Sequence, residues 1–209
     1  HRMGHCPAVL FFSSFQLFLL ADIAPNDPDR LATFVLGYWL FTFAGIVLFG
    51  ADQWLNRVEC FTVVFRLIGS LRVFQTENEY RSGFPGWSSI AAAPLDASRS
   101  VLCLMILISG SFDGLHETFW WLGKIGINPL EFPGRSAVVW SSSLGLLCAN
   151  ILGVSVYGLA IWVGLVQVRQ FGNVQNIRFM DAFNTFALAI LPIALGYHFA
   201  HYLISFLVQ

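Results

Sequence analysis

The feature that most constrains this chain is a set of long apolar stretches that contain no charged residue. Residues 31–51 and 136–168 run for 21 and 33 positions without Asp, Glu, Lys or Arg. A helix needs about 20 apolar residues to cross the hydrocarbon core of a bilayer, where its backbone groups must bond to one another. The sequence therefore predicts an all-α fold, a polytopic transmembrane helical bundle.

The composition supports this fold class and limits the partners. Hydrophobic residues make up 56% of the chain and charged residues 11%, against about 25% charged in soluble domains. The 11 Lys and Arg are balanced by 12 Asp and Glu, which leaves a net charge of −1. Nucleic acid is excluded as the main partner because no basic field is present. The lipid bilayer is the predicted partner, together with other integral membrane subunits.

Five spans are predicted within a single membrane domain, residues 1–209, which we expect to be the C-terminal part of a longer chain. The spans cover about 6–21, 31–51, 100–122, 136–168 and 182–209. The last of them contains Pro192, which predicts a kink.

The connection after the second span is expected to lie on the membrane surface. Apolar residues at helical spacing predict one amphipathic helix over about 53–74, with Trp54, Val58, Phe61, Phe65 and Ile68 on its apolar face. A polar loop is predicted for 76–99. Five arginines fall within residues 57–99, and the positive-inside rule places this segment in the cytoplasm and Gln209 towards the outer side.

Three titratable residues within the predicted third span call for an explanation. Asp113, His116 and Glu117 share one helical stripe about 100° wide. A charge at the centre of the bilayer costs about 2.5–3.5 kcal/mol even on lenient scales, so these side chains should face protein, water or an ion.

A second polar pair, His198 and His201, lies three residues apart in the predicted fifth span. Both clusters are expected in the outer half of the membrane, which predicts that the two helices pack together. One possibility is a divalent metal, zinc, iron or manganese, held by Asp113, His198 and His201, with Glu117 or His116 as a catalytic general base. The other possibilities are structural hydrogen bonding between helices and a proton or ion path.

Several stretches resemble one family of polytopic bacterial membrane proteins, termed fenitrothion hydrolase-like. The resemblance covers most of the chain and rests on RMGHCPAVLFF, DIAPNDPDRLA, GYWLFTFAGIVLFG, VECFTVVFRLIGSL, SGSFDGL and GYHFAHYLISFLVQ. It implies a multi-pass protein of the bacterial inner membrane and, at most, hydrolysis of phosphotriester bonds. Asp113, His198 and His201 match the family's pattern, whereas His116 and Glu117 depart from it.

Three functions follow as expectations. The first is a non-enzymatic subunit of a membrane assembly that contains the Asp/Glu/His cluster. The second is a membrane-embedded, metal-dependent hydrolase of organophosphate-like esters. The third is an ion or proton transporter, which the absence of an inverted repeat in the sequence makes the weakest of the three.

Overall fold

The computed structural model describes residues 4–76, 80–84, 86–87, 93–128, 130, 134–171 and 177–208. Within these residues the chain forms eight α-helices and one short β-hairpin, which confirms the predicted all-α helical bundle. The chain divides into two compact units, one of His1–Val63 with Ser109–Ala149 and the other of Val64–Ile108 with Asn150–Gln209.

The first two helices are α1 (Cys6–Ala21) and α2 (Pro28–Phe49), close to the predicted first two spans. Asp27 caps α2, because its carboxylate accepts hydrogen bonds from the backbone N–H groups of Asp29 and Arg30, both at 3.0 Å. The helix ends at Gly50, whose φ of 84° is a conformation that favours glycine.

The single helix predicted over 53–74 is two helices in the structure, α3 (Ala51–Arg57) and α4 (Cys60–Gly69). The break occurs because the Glu59 carboxylate takes the N–H groups at the start of α4, beginning a new helix there. Cys60, Val63 and Leu67 of α4 are buried within the protein, whereas Phe65, on the predicted membrane-facing side, is 67% exposed.

A β-hairpin follows within the segment that was predicted as the end of the helix and a loop. Strands β1 (Phe74–Thr76) and β2 (Tyr80–Ser82) are antiparallel, with Phe74 opposite Ser82. Gly83 continues the pairing by donating to the carbonyl of Val73 at 3.0 Å. Residues 77–79, 85 and 88–92 of the predicted loop lie outside the described residues.

The third long helix, α5 (Ala97–His116), begins three residues before the start of the predicted span and ends six residues before the end of that span. Asp96 caps its start. A short helix, α6 (Phe119–Lys124), follows after a break at Thr118, whose hydroxyl accepts from the N–H of Trp121. The local cap at Thr118 competes with helix continuation, which is why the apolar run FWWLG does not extend α5.

The last two helices are α7 (Val139–Phe171), preceded by a 3-10 turn at Arg135–Ala137, and α8 (Phe179–Val208). The α8 helix is continuous through Pro192. Among the described residues, four helices are long and apolar enough to cross a membrane, namely Pro28–Phe49, Ala97–His116, Val139–Phe171 and the Phe179–Leu203 part of α8, while α1 is shorter. The chain is therefore a membrane protein, and the fifth span stays a prediction.

Each unit has its own packing. In the first, Leu20, Phe112 and Leu146 bring α1, α5 and α7 into one core. In the second, Ser100 donates to the Asn184 side-chain oxygen at 2.9 Å, and the Tyr157 hydroxyl donates to the carbonyl of Phe183 at 2.8 Å. These two bonds attach α8 to α5 and to α7.

Candidate functional site

The three titratable residues predicted within the third span lie at the end of α5 and just beyond it. His116 is the last residue of the helix and is 6% exposed, whereas Glu117 lies past the helix end and is 71% exposed. Asp113 lies one turn earlier, with its side chain 17% exposed. This placement lowers the cost of the carboxylates, because the end of a span lies closer to water than its centre.

The imidazole of His116 has a defined tautomer when it is neutral. Its Nδ1 lies 2.7 Å from the carbonyl oxygen of Asp113, and since that oxygen can only accept, Nδ1 carries the hydrogen. The lone pair is then on Nε2, which lies 3.9 Å from the Glu117 Oε1. This nitrogen can accept a proton or bind a ligand.

Aromatic packing fixes the orientation of this imidazole. Phe112 stacks on His116 with ring centroids 5.7 Å apart, and Trp121 packs edge-on against Phe112 at 5.5 Å. Gly145 of α7 allows the close approach, because a Cβ there would lie 2.7 Å from the Phe112 ring. The rings of α5 and α6 therefore hold His116 from one side.

Arg135 is the residue of this site that the sequence analysis did not identify. Its guanidinium donates to three carbonyls at the end of α1, those of Asp22 at 3.0 Å, Leu20 at 3.1 Å and Leu19 at 3.3 Å. These bonds satisfy carbonyls that a helix end leaves without partners. The remaining nitrogen of the group lies 3.8 Å from the Glu117 Oε1.

These side chains surround a pocket of about 270 Å³ in the first unit. His116, Glu117 and Arg135 form its polar wall, and its apolar lining consists of Leu20, Phe119, Leu122 and Val138. A concave, largely apolar site with a few convergent polar groups is the usual form of a small-molecule pocket, and the volume of this one lies just below the usual range of about 300–1,000 Å³.

Asp22 contributes its carbonyl to Arg135 and its carboxylate to a different cation. The Arg30 guanidinium donates to that carboxylate at 2.7 and 3.1 Å, and the Ala24 N–H donates at 3.0 Å. Together they hold the pKa of Asp22 below its ordinary value, since burial, which acts in the opposite direction, is weaker. Asp22 therefore stays ionised beside the pocket.

The predicted histidine pair lies on one face of α8, within an aromatic group formed by Tyr197, His198, His201 and Tyr202. Tyr197 and His201 stack with centroids 5.8 Å apart, and His201 meets Tyr202 edge-on at 5.0 Å. The Nδ1 of His198 donates to the carbonyl of Ala194 at 2.8 Å, which leaves Nε2 as the acceptor nitrogen of the neutral ring.

The predicted metal ligands belong to different units, with Asp113 in the first and His198 and His201 in the second. Among the residues that the structure describes, no group of three or more His, Cys, Asp or Glu side chains is arranged to hold a metal ion. The bond between Ser100 and Asn184 joins α5 to α8 near their first turns, whereas the contact between the two polar clusters and the three-ligand set stay predictions from the sequence.

A second buried polar group, also missed in the sequence analysis, lies elsewhere in the first unit. Glu59 is 7% exposed and accepts hydrogen bonds from the Tyr38 hydroxyl, from the N–H of Phe61 at 3.0 Å and from that of Thr62 at 2.5 Å. The Tyr38 hydroxyl also lies 3.4 Å from the Cys60 sulfur. The group joins the middle of α2 to the start of α4.

Comparison of the chain with protein-family models, with curated proteins and with solved structures found no match.

Proposed function

We propose that this multi-pass membrane protein binds a small amphipathic molecule in the pocket beside His116, without transforming it. The observation that carries the proposal is the division of the pocket into one polar wall and an apolar remainder. The pocket lies where α5 ends and α7 begins, so it opens near one membrane surface. A molecule that partitions into lipid with its polar end near the surface has the matching polarity.

The charge of the polar wall favours a neutral head group. Glu117 and Arg135 carry opposite charges, with the carboxylate and the guanidinium 3.8 Å apart, and they balance each other. An anionic ligand would compete with Glu117 for Arg135, and a cationic ligand would compete with Arg135 for Glu117. A neutral hydroxyl or ester can bond to either without separating the pair.

Thiol protection tests this proposal in detergent or in nanodiscs. Cys6 and Cys148, the exposed cysteines among the described residues, are replaced by Ser, and Leu122 of the pocket lining is replaced by Cys. Phenylbutanol, phenylbutyrate and phenylbutylamine have the same hydrocarbon part and differ in the charge of the head. We expect phenylbutanol to slow maleimide labelling of L122C at the lowest concentration.

Gly123→Cys is the matched control, because Gly123 is exposed, adjoins Leu122 and does not line the pocket. Labelling of G123C should not respond to any of the three probes. Equal protection of both positions, or no protection of L122C by any probe, would overturn the proposal. Stronger protection by one of the charged probes would refute the proposed preference for a neutral head group, but it would still support binding in this pocket.

Hydrolysis of a neutral ester is the second candidate function, and the tautomer of His116 favours it. With Nδ1–H bonded to the Asp113 carbonyl, Nε2 can take a proton from water. In a phosphotriester the water oxygen would bond to phosphorus, the bond to the aryloxy group would break, and the aryloxide would leave. A chromogenic phosphotriester measures this reaction, and its rate should be lost in His116→Asn and reduced in Glu117→Gln.

The metal-dependent form of this hydrolysis rests on Asp113, His198 and His201. The bond from His198 Nδ1 to a carbonyl supports it, since metal-bound imidazoles usually donate their other N–H in this way. Metal analysis of the purified protein, with His201→Ala beside it, tests this form. Stoichiometric zinc, iron or manganese that the variant loses would support it, whereas equal trace amounts in both proteins would refute it.

A further inference from the structure

We propose that the molecule bound in the pocket beside His116 is an alcohol or a phenol, whose hydroxyl group donates a hydrogen bond to Nε2 of His116. This inference rests on the function proposed above and adds the chemical class of the ligand. All the residues that carry it belong to the first unit.

The polar wall of the pocket contains two acceptors and one donor. In the neutral imidazole of His116, the bond from Nδ1 to the Asp113 carbonyl leaves Nε2 as an acceptor. The Glu117 carboxylate is also an acceptor, and its Oε1 lies 3.9 Å from that nitrogen, so the two groups cannot satisfy each other. The donor is the guanidinium of Arg135.

Arg135 does not distinguish one class of neutral oxygen compound from another. Its Nε and Nη2 donate to the carbonyls of Asp22, Leu19 and Leu20, which leaves Nη1 to face a ligand. The oxygen atoms of alcohols, ethers and esters all accept from such a nitrogen. The selection among these classes therefore depends on the two acceptors of the wall.

His116 selects more strongly than Glu117, because it is shielded from water. Glu117 is 71% exposed, so water satisfies its carboxylate whether or not a ligand donates to it. His116 is 6% exposed, and the side chains of Leu20, Leu122 and Val138 in the same lining have no polar hydrogen. A ligand that fills the pocket displaces water from Nε2, and a buried acceptor without a donor costs free energy. An alcohol supplies this donor, whereas an ether or an ester does not.

Two isomeric probes test the inference in the L122C protein, with G123C as the control. Phenylpentanol and phenylbutyl methyl ether contain the same atoms, but only the alcohol has a hydrogen to donate. At about pH 8, where imidazole groups are ordinarily neutral, we expect the alcohol to halve the labelling rate at a concentration about tenfold lower than the ether. Partition into lipid favours the ether, so it cannot produce this order.

The possible results separate this inference from the function on which it rests. Equal protection of L122C by the two isomers, or better protection by the ether, would overturn the alcohol class while the proposed binding in the pocket stands. No protection by either isomer would overturn both.

Two variants in the L122C background identify the acceptor. His116→Phe keeps a ring to stack on Phe112 but removes Nε2, so the alcohol should lose its advantage over the ether. Glu117→Ala removes the other acceptor from an exposed position, and the advantage should persist. The reverse result, with the advantage kept in His116→Phe and lost in Glu117→Ala, would overturn His116 as the acceptor.

Nitrogen NMR of isotope-labelled imidazole tests the same bond without changing His116. The spectrum should show the tautomer with hydrogen on Nδ1, and phenylpentanol, but not the ether, should shift the Nε2 resonance. A neutral ring with hydrogen on Nε2, or a resonance that the alcohol does not move, would overturn the inference even if His116→Phe fails to fold.

Discussion

Two glutamates at helix ends have opposite surroundings in this protein. Glu59 is 7% exposed, and its carboxylate accepts bonds from a tyrosine hydroxyl and two backbone N–H groups. Glu117 is 71% exposed, and its Oε1 has an imidazole nitrogen at 3.9 Å and a guanidinium nitrogen at 3.8 Å, both beyond hydrogen-bond distance.

The difference shows which carboxylate supports the fold and which is available to a ligand. Glu59 caps α4 and ties it to α2, so its removal leaves buried donors without acceptors. Glu117 borders an open pocket, and water can replace its weak ion pairs. Substitutions at the two positions should therefore separate stability from binding.

Glu59→Ala should produce the largest loss of stability. It removes the cap of α4, leaves the N–H groups of Phe61 and Thr62 without a side-chain acceptor, and leaves the Tyr38 hydroxyl only the Cys60 sulfur as a weak acceptor. We expect the free energy of unfolding to fall by about 2–4 kcal/mol, measured by titration of mixed micelles with a denaturing detergent. A loss below about 0.5 kcal/mol would mean that the two glutamates do not differ as described.

Arg135→Gln should have the next largest effect, because three carbonyls at the end of α1 lose a charged donor. A decrease of about 1.5–3 kcal/mol in the free energy of unfolding is expected. Arg135→Lys should recover little of it, since an ammonium group cannot reproduce the geometry of the guanidinium. Full recovery by Lys would indicate that only the charge near Glu117 matters.

Glu117→Gln should change stability by less than about 0.5 kcal/mol, as an exposed position allows. Its effect should appear in the pocket, where Arg135 would lose its counter-charge. Protection of L122C by phenylbutyrate should therefore become stronger than in the parent, while protection by phenylbutylamine becomes weaker. If the order of protection by the three probes is unchanged in Glu117→Gln, Glu117 does not contribute to the charge preference of the pocket.

The contrast between these glutamates also shows what the sequence can predict here. Apolar length predicts α2, α5, α7 and α8, because the bilayer imposes that length on any spanning helix. Asp113 and His116 of the predicted polar stripe do lie on α5, whereas Glu117, predicted on the same stripe, lies past the helix end. Arg135 was not identified, because it bonds to Asp22 across 113 positions of the chain, and no local pattern records that pairing.

Glu59 was not identified for a related reason. The apolar spacing from Trp54 to Ile68 fits one continuous helix, and the break depends on the side chain of Glu59 accepting local N–H groups. Its burial depends further on Tyr38, 21 positions earlier. Helix patterns therefore predicted the scaffold, whereas the two sites depend on contacts between separate segments.

Asp22 is intermediate between the two glutamates and should give the smallest effect, one that depends on pH. Its side chain is 21% exposed and pairs with Arg30, which is 49% exposed, so solvent screens the interaction. Because the pKa of Asp22 is lower in the folded protein than in the unfolded chain, the pair stabilises the fold above the ordinary aspartate pKa of 3.8 and loses this contribution as the pH falls through the folded value. Unfolding midpoints of the wild type and Asp22→Asn should differ slightly at neutral pH and converge in acid. If the difference between the two unfolding midpoints instead grows in acid, the pKa of Asp22 is raised rather than lowered on folding. Burial, rather than Arg30, would then dominate at this carboxylate.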